Sequence, residues 1–254
     1  MLWAGNGRSS ATAERAASAA MTDVEHLGAL CERSDVVVSI CPPAAAETVA
    51  TEVLATGFDG IYVDANAISP ATSLRIRDKF KHYIDGSVIG PPAISAGTTR
   101  MYLAGPGATD LSTVWSDGPL DAVAIAESAD TAAASALKMA YAGWTKGQGA
   151  LLLAVNALAQ HAGVLDTLVQ EWELSQPGLA ERSRRLAPIL GAKAWRFDGE
   201  MTEIAAAMDD AGLEPGFHLA ASNLYRRMAG FKHGPPPNLD DVLAAVLALS
   251  LIHI

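Results

Sequence analysis

Residues 36–126 alternate short β-branched runs with helical stretches, and residues 131–165 then replace that rhythm with one long helical pattern free of proline. This switch constrains the fold more than any other feature. Val36–Ile40 stops at Cys41-Pro42-Pro43, Ile61–Asp64 runs into Ala65–Pro70, and Tyr83–Gly86 follows a helical stretch over 71–80. Between the first two runs, Ala44–Ala55 is alanine-rich and helical in pattern. Short strands separated by helices of about ten residues read as βαβ units of a parallel sheet. Arg100–Ala104 and Val123–Ala126 read as further strands at its edge. Helices are then expected over 131–165, 179–190, 200–211, 216–228 and 239–247, broken at Pro177-Gly178, Gly212, Pro215 and Gly234–Pro237. The expected class is α/β: a doubly wound parallel sheet over 1–128, then an all-α domain over 129–248.

Half of the residues are hydrophobic, which excludes disorder as the main state. Acids outnumber bases 28 to 18, a net charge of −10, so no nucleic-acid or anionic-membrane surface is expected. Two cysteines, Cys31 and Cys41, cannot build a disulfide framework or a cysteine-rich metal site. His26, His82, His161, His218, His233 and His253 show no ligand spacing, so no metal is expected. With no legible signal peptide or membrane span, a cytoplasmic protein is expected.

A doubly wound dinucleotide domain opens with a strand and then G-x-G-x-x-G at a helix start. The glycines let the backbone reach the pyrophosphate, and the helix N-terminus donates to it. No such motif occurs; Gly5-x-Gly7 has Ser10 where the third glycine belongs. Leu2–Ala4 reads instead as the second strand, with Gly5–Ser10 as the loop meeting the adenosine ribose. The sheet is then incomplete, its first strand and glycine-rich turn missing, and Met1 is an internal start or a fragment edge. NAD-preferring domains place an acid at that strand end, but this loop offers Asn6, Arg8, Ser9 and Ser10. Arg8 with two hydroxyls suits a 2′-phosphate, favouring NADP over NAD. The alternative is a solvated arginine ahead of an N-cap serine.

The order of these segments resembles the β-hydroxyacid dehydrogenase superfamily, which includes 3-hydroxyisobutyrate and 6-phosphogluconate dehydrogenases. Asp64–Pro70 resembles its D-x-S-T-I-S-P stretch, and Asp85–Pro91 is similar to its substrate loop D-A-P-V-S-G-G. Gly97–Gly105 resembles the G-T-L…M-V-G-G that follows, and Ser135–Lys138 falls at its G-x-x-x-K. The likeness covers most of residues 1–165 in order and spacing. Lys193–Phe197 and Gly216-Phe217-His218 look like a 6-phosphogluconate-dehydrogenase-like branch with a shorter helical domain. The resemblance implies a Rossmann-like fold, a nicotinamide cofactor, a small-molecule substrate and a catalytic Lys138.

Hydride exchange between a nicotinamide and an alcohol moves one proton on or off the oxygen, which a lysine can do without a metal. Lys138 lies about two turns into the long helix, beyond Asp130 as the expected N-cap, and its alanine neighbours would desolvate it and lower its pKa. Tyr141, Ala142, Thr145 and Gly149 share its helical face. Tyr141 and Ala142 replace the family's asparagine one turn on, so Tyr141 either donates to substrate or packs. Lys146 either helps hold an anionic substrate or is solvated. The family's Ser-Gly-Gly falls on Ile89-Gly90-Pro91. Gly90 still admits a carboxylate to the backbone, the hydroxyl is lost, and Ser87 compensates only in a shifted loop. The resemblance lays Cys41-Pro42-Pro43 along the dinucleotide through backbone atoms and sets Asn66 on the nicotinamide side. A strand-ending turn and an Asx-turn are the alternatives.

The family's Lys-Asp pair from the helical region aligns with Gly199-Glu200, leaving Arg196 as a candidate substitute. Gly143 and Gly147 suit close helix packing, within the subunit or across a homodimer. Leu249–Ile254 matches the translation of a transposon-end adapter used in DNA library construction, which sets His253 aside and points to clipping at both ends. The resulting reading is an NADP-preferring oxidoreductase acting on a small anionic hydroxy acid or related carbonyl compound. Imine reduction, and a non-catalytic fragment unable to bind dinucleotide, stay open as alternatives.

Overall fold

A computed structural model describes residues 1–248; the adapter-like stretch 249–254 lies outside the described residues. Two compact units divide inside a helix, between Lys138 and Met139, rather than at 128/129 where the strand-bearing sequence ends.

In the first unit β1 (Leu2–Trp3) pairs in parallel with β2 (Thr22–Asp23) across the connecting α1 (Ser10–Ser18). A separate five-stranded sheet runs β3 (Val36–Ser39), β4 (Ile61–Asp64), β5 (Tyr83–Ile89), β6 (Thr99–Ala104), β7 (Leu120–Ala126). The short α2 (Leu27–Glu32) precedes β3; neither it nor β2 carries a periodic pattern long enough to read. Strands β3, β4 and β5 are parallel, joined by α3 (Ala46–Ala55) and α4 (Pro70–Arg77), as the alternation predicts. β6 reverses, antiparallel to β5, and β7 runs parallel to β6 after α5 (Ala108–Ser112). The edge reverses because the connection over 90–98 is too short for a crossover helix; a parallel return needs about a dozen residues.

Strand β4, between β3 and β5, is covered on both sides, so its side chains alternate between two apolar clusters. Tyr62 joins Ala46, Ala50, Val53, Ile68 and Ile76 on one face. Val63 joins Ile84, Met101 and Leu103 on the other. Tyr62 also stacks on Phe80, ring centroids 4.2 Å apart.

The second unit is helical. The long α6 (Ala133–His161) ends where Gly163 takes φ +71° and Val164 N–H closes back on the Ala159 carbonyl. That glycine-ended stop separates α7 (Leu165–Ser175) from the single helix expected over 131–165. Conversely, the two helices expected over 179–190 and 200–211 are one, α8 (Leu179–Asp210), continuous through Pro188. Gly191 does not break it: a Cβ there would meet Pro237 at 2.7 Å, so the glycine serves close packing. α9 (Gly216–Arg227) and α10 (Leu239–Leu247) complete the unit. Among the described residues no helix is long and apolar enough to cross a membrane.

Candidate active site

The organising group is a buried carboxylate at the end of the parallel strands. Asp85 is 0% exposed. Its Oδ2 accepts from the backbone N–H groups of Ala134 (2.7 Å) and Ser135 (3.0 Å). Its Oδ1 accepts from the hydroxyls of Ser135 (2.6 Å) and Ser73 (3.0 Å). Burial pushes the Asp85 carboxyl up, and these four donors pull against it. An anion at the first turn of a helix satisfies orphan N–H groups and the positive end of the dipole. Asp85 therefore caps α6, not Asp130, which is exposed and pairs with Arg77 at 3.3 Å. Sequence alone hides this cap because it lies some fifty residues away on a strand.

The cap fixes the first turns of α6 against β5, and Lys138 sits on them. Its Nζ donates to the Val88 carbonyl at 2.7 Å, and the side chain is half-buried. The expected substrate-loop residues flank that carbonyl along the chain. Ser87 is buried with its hydroxyl unpartnered among the described residues. Ile89 pairs with Arg100. Gly90 follows at φ +133°, where a Cβ would lie 2.5 Å from the Thr98 carbonyl oxygen, so only glycine fits.

Asn66 braces the carboxyl ends of β3 and β4. It is 2% exposed; its Oδ1 accepts from Cys41 N–H at 2.6 Å and its Nδ2 donates to Ser39 Oγ at 3.0 Å. The local Asx-turn belongs to Asp64 instead, whose Oδ1 accepts from Asn66 N–H at 3.0 Å. Burial pushes the Asp64 carboxyl up to about 6. Its Oδ2 is buried without a partner among the described residues. Cys41 is half-buried, and burial pushes its thiol up while the positive charge of Arg8 acts the other way. Pro42 and Pro43 lead into a 3-10 turn, Pro43–Ala45, ahead of α3.

The loop after β1 carries the N-cap serine that the sequence offers as its alternative. Ser9 caps α1, its Oγ accepting from Thr12 N–H at 3.3 Å, and Ser10 is the first helical residue. Arg8 stands exposed before them. Asn6 donates its backbone N–H to the Glu25 carbonyl, with its amide 3.3 Å from His26 Nδ1. The residues present fit two parts of a nicotinamide dinucleotide. An exposed guanidinium beside a helix start suits a ribose phosphate, and the Cys41 turn lies at a carboxyl strand edge. No glycine-rich strand-to-helix turn for the pyrophosphate occurs among the described residues.

In the second unit Lys146 is neither solvated nor free. Its ammonium lies 2.6 Å from Glu200 Oε2, the two side chains 14% and 12% exposed, and 5.2 Å above the Phe197 ring. The Tyr225 hydroxyl donates to the Lys146 carbonyl. The Lys146 charge is thus neutralised in place, which removes the reason for expecting it to attract an anionic substrate. Glu200 was expected to mark a missing lysine pair; its partner comes from α6, and Arg196 packs against Phe197. Tyr141 is 49% exposed, one turn beyond Lys138 along α6. Gly143 and Gly147 face inward: added Cβ atoms would meet Ile204 at 3.3 Å and Phe217 at 3.0 Å. His218 is buried, which lowers its pKa, and it bonds the backbone of Gly143.

This parallel sheet, reversed at its sixth strand and followed by a helical unit, is the fold of 3-hydroxyacid dehydrogenase-like proteins. It is similar to MTH1747, a conserved protein of unknown function described as structurally similar to 3-hydroxyacid dehydrogenases, with a TM-score of 0.63 and 22% identity over 89% of this chain and 88% of that one. A 3-hydroxyisobutyrate dehydrogenase of Mycobacterium tuberculosis, solved with L-serine, gives 0.63 and 14% identity over 94% and 89%. An imine reductase of Myxococcus stipitatus in complex with NADP+ gives 0.51 and 17% over 94% and 89%. Within the helical unit, residues 159–228 match DUF1932, a domain of unknown function. An uncharacterized 28.5 kDa protein of Methanothermus fervidus is 32% identical over 145 residues, 56% of this chain and 54% of that protein. The chain spans about half the length of this curated relative.

Proposed function

We propose that this chain is an oxidoreductase moving a hydride between a nicotinamide cofactor, NADP in preference to NAD, and a small anionic hydroxy acid or related carbonyl compound. The observation that carries this reading is the Lys138 amine, held 2.7 Å from the Val88 carbonyl on a helix start anchored by a buried Asp85. The nicotinamide, when bound, supplies or accepts the hydride. Lys138 holds the substrate oxygen and moves its proton: the neutral amine takes it as an alcohol is oxidised, and the ammonium returns it as a carbonyl is reduced. Arg8 supplies charge for a 2′-phosphate. Asn66 acts on the cofactor edge through the Cys41 turn that it holds. The M. tuberculosis protein solved with L-serine, itself a small hydroxy acid, supports a substrate of that class. The two free thiols suit a reducing compartment, and the reading includes a cytoplasmic location.

Reduction of an imine is the second reading, favoured by Tyr141 and the buried Ala142 where the family's asparagine is expected. Turnover of NADPH is to be followed on a panel of small β-hydroxy acids, their oxo counterparts and cyclic imines, with Lys138→Ala alongside. The expected result is activity on the acids that falls ~100-fold or more in the variant while NADPH fluorescence titration is unchanged. Activity confined to the imines would select the second reading. Failure to bind NADPH at all would mark a non-catalytic chain.

A further inference from the structure

We infer that Asp23, at the end of β2, is a positioning residue for the cofactor: its carboxylate holds the Gly5–Ser9 loop in the shape that presents Arg8 to a 2′-phosphate. The inference rests on the NADP reading above and adds the group that sets Arg8 in place. Asp23 reaches the loop from the neighbouring strand, across a separation of 18 residues from Gly5.

Arg8 is exposed, and among the described residues no hydrogen bond or ion pair holds its guanidinium. Its placing therefore comes from the backbone that carries it. That backbone leaves a ladder of only two residue pairs, Leu2 with Thr22 and Trp3 with Asp23. Two strands so short are marginal by themselves and cannot fix the loops beyond them. The fixing comes from Asp23. Its Oδ1 accepts from the backbone N–H of Gly5 at 3.0 Å and of Glu25 at 2.8 Å, which ties the turn after β2 to the loop after β1. Asn6 N–H adds a third tie, to the Glu25 carbonyl at 2.9 Å. Anchored at Gly5 and Asn6, the loop turns at Gly7, with φ +74°, and Arg8 N–H closes on the Gly5 carbonyl at 3.1 Å. Arg8 is thus delivered directly ahead of Ser9, the N-cap of α1.

Two backbone features belong to this clamp. A Cβ on Gly5 would overlap the Asp23 carboxylate, so the absence of a side chain is what lets the two segments close. Glu25 takes φ +62°, in the left-handed region that a non-glycine residue enters at a cost and keeps only where its surroundings impose it. In that conformation its N–H meets Asp23 and its carbonyl meets Asn6. Backbone strain of this kind gathers at ligand clamps. A carboxylate near a phosphate would repel it unless its charge were engaged, and here one oxygen takes two N–H groups, bonds that a charged acceptor strengthens. That oxygen is committed to the backbone, unlike the strand-end acid that accepts from a ribose hydroxyl in NAD-preferring domains.

The test is fluorescence titration of NADPH and NADH on the full chain, on Asp23→Ala, Asp23→Asn and Arg8→Ala, and on the variant combining Asp23→Ala with Arg8→Ala. Adenosine 2′-monophosphate, titrated by calorimetry, probes the adenosine end by itself, and circular dichroism identifies the folded variants. Asp23→Ala should weaken NADPH and adenosine 2′-monophosphate about tenfold and leave NADH unchanged. Asp23→Asn, which keeps an oxygen for the two N–H groups, should recover most of the loss. The double variant should bind NADPH no more weakly than Arg8→Ala, because Asp23 acts through Arg8 and the two losses do not add. Should Asp23→Ala fail to fold, Gly5→Ala, whose Cβ displaces the carboxylate, replaces it with the same expectation. Unchanged NADPH binding in a folded Asp23→Ala, additive losses, or an Asp23→Asn as weak as the alanine variant would each overturn the proposal. Equal weakening of NADH and NADPH would also overturn it, by making Asp23 a direct ribose contact. A wild type that binds neither dinucleotide nor adenosine 2′-monophosphate would overturn the NADP reading itself, and this inference with it.

Discussion

Replacing Asp64 with asparagine should make this protein more stable at neutral pH and leave it no better off in acid. Asp64 is 1% exposed, one carboxylate oxygen accepts from Asn66 N–H, and the other has no partner among the described residues. Burial raises its pKa from the ordinary 3.8 to about 6. The unfolded chain therefore releases this proton about two pH units before the folded one does. The folded state is favoured most below pH 3.8, and that advantage disappears as pH rises through about 6. At 1.36 kcal/mol per unit the loss amounts to about 3 kcal/mol. Asparagine cannot ionise, keeps an oxygen for Asn66 N–H, and sets an amide nitrogen where Oδ2 lies unpartnered, at a cost of about 1–2 kcal/mol. A net gain of about 1–2 kcal/mol at pH 8 is expected, turning into a small loss near pH 3. Parallel urea melts of both proteins from pH 3 to pH 8, followed by the aromatic signal of the first unit, measure the difference. A stability difference that does not change with pH, or that grows in favour of wild type as pH rises, would refute the reasoning.

Three further outcomes follow from the same packing. Asp85→Ala strips the acceptor from two backbone donors and two hydroxyls at the start of α6. About 3–5 kcal/mol should be lost in chemical denaturation, and Asp85→Asn, which keeps one oxygen for the backbone pair, should recover about half. Arg8→Ala should weaken NADPH about tenfold or more and leave NADH unchanged, read by fluorescence titration; equal weakening of both would remove Arg8 from the 2′-phosphate. Glu200→Ala leaves the buried Lys146 ammonium unpaired, and about 3–5 kcal/mol should be lost from the melt of the helical unit. A melt unchanged within 1 kcal/mol or so would mean that water reaches the pair.

What was legible in the sequence is what local periodicity carries. The runs at 36–40 and 61–64 are short and β-branched, and 83–86 follows a helical stretch in the same rhythm, which reads as strands in a covered sheet. Proline at 42–43 and 70 marks their ends, and the proline-free stretch after 130 has to be helix. The helical pattern puts Lys138 on that helix, and the family resemblance of Ser135–Lys138 marks it as a site residue. The interruption at Gly163 and the continuity of α8 were missed because a glycine reads the same whether it ends a helix or lets another element pack close; only its φ and its neighbours distinguish the two.

Tertiary structure decided which partner each polar group took. Asp85 reaches Ser135, Asn66 reaches Cys41 and Lys146 reaches Glu200 across separations of about 25 to 54 residues, with no periodic trace in the chain between them. A buried carboxylate or ammonium takes whichever donor or acceptor the packed apolar surfaces bring within about 3 Å, because leaving it unmet costs more than any local preference can return. Hydrophobic pattern says which face of an element turns inward; what it meets there is a property of the assembled molecule.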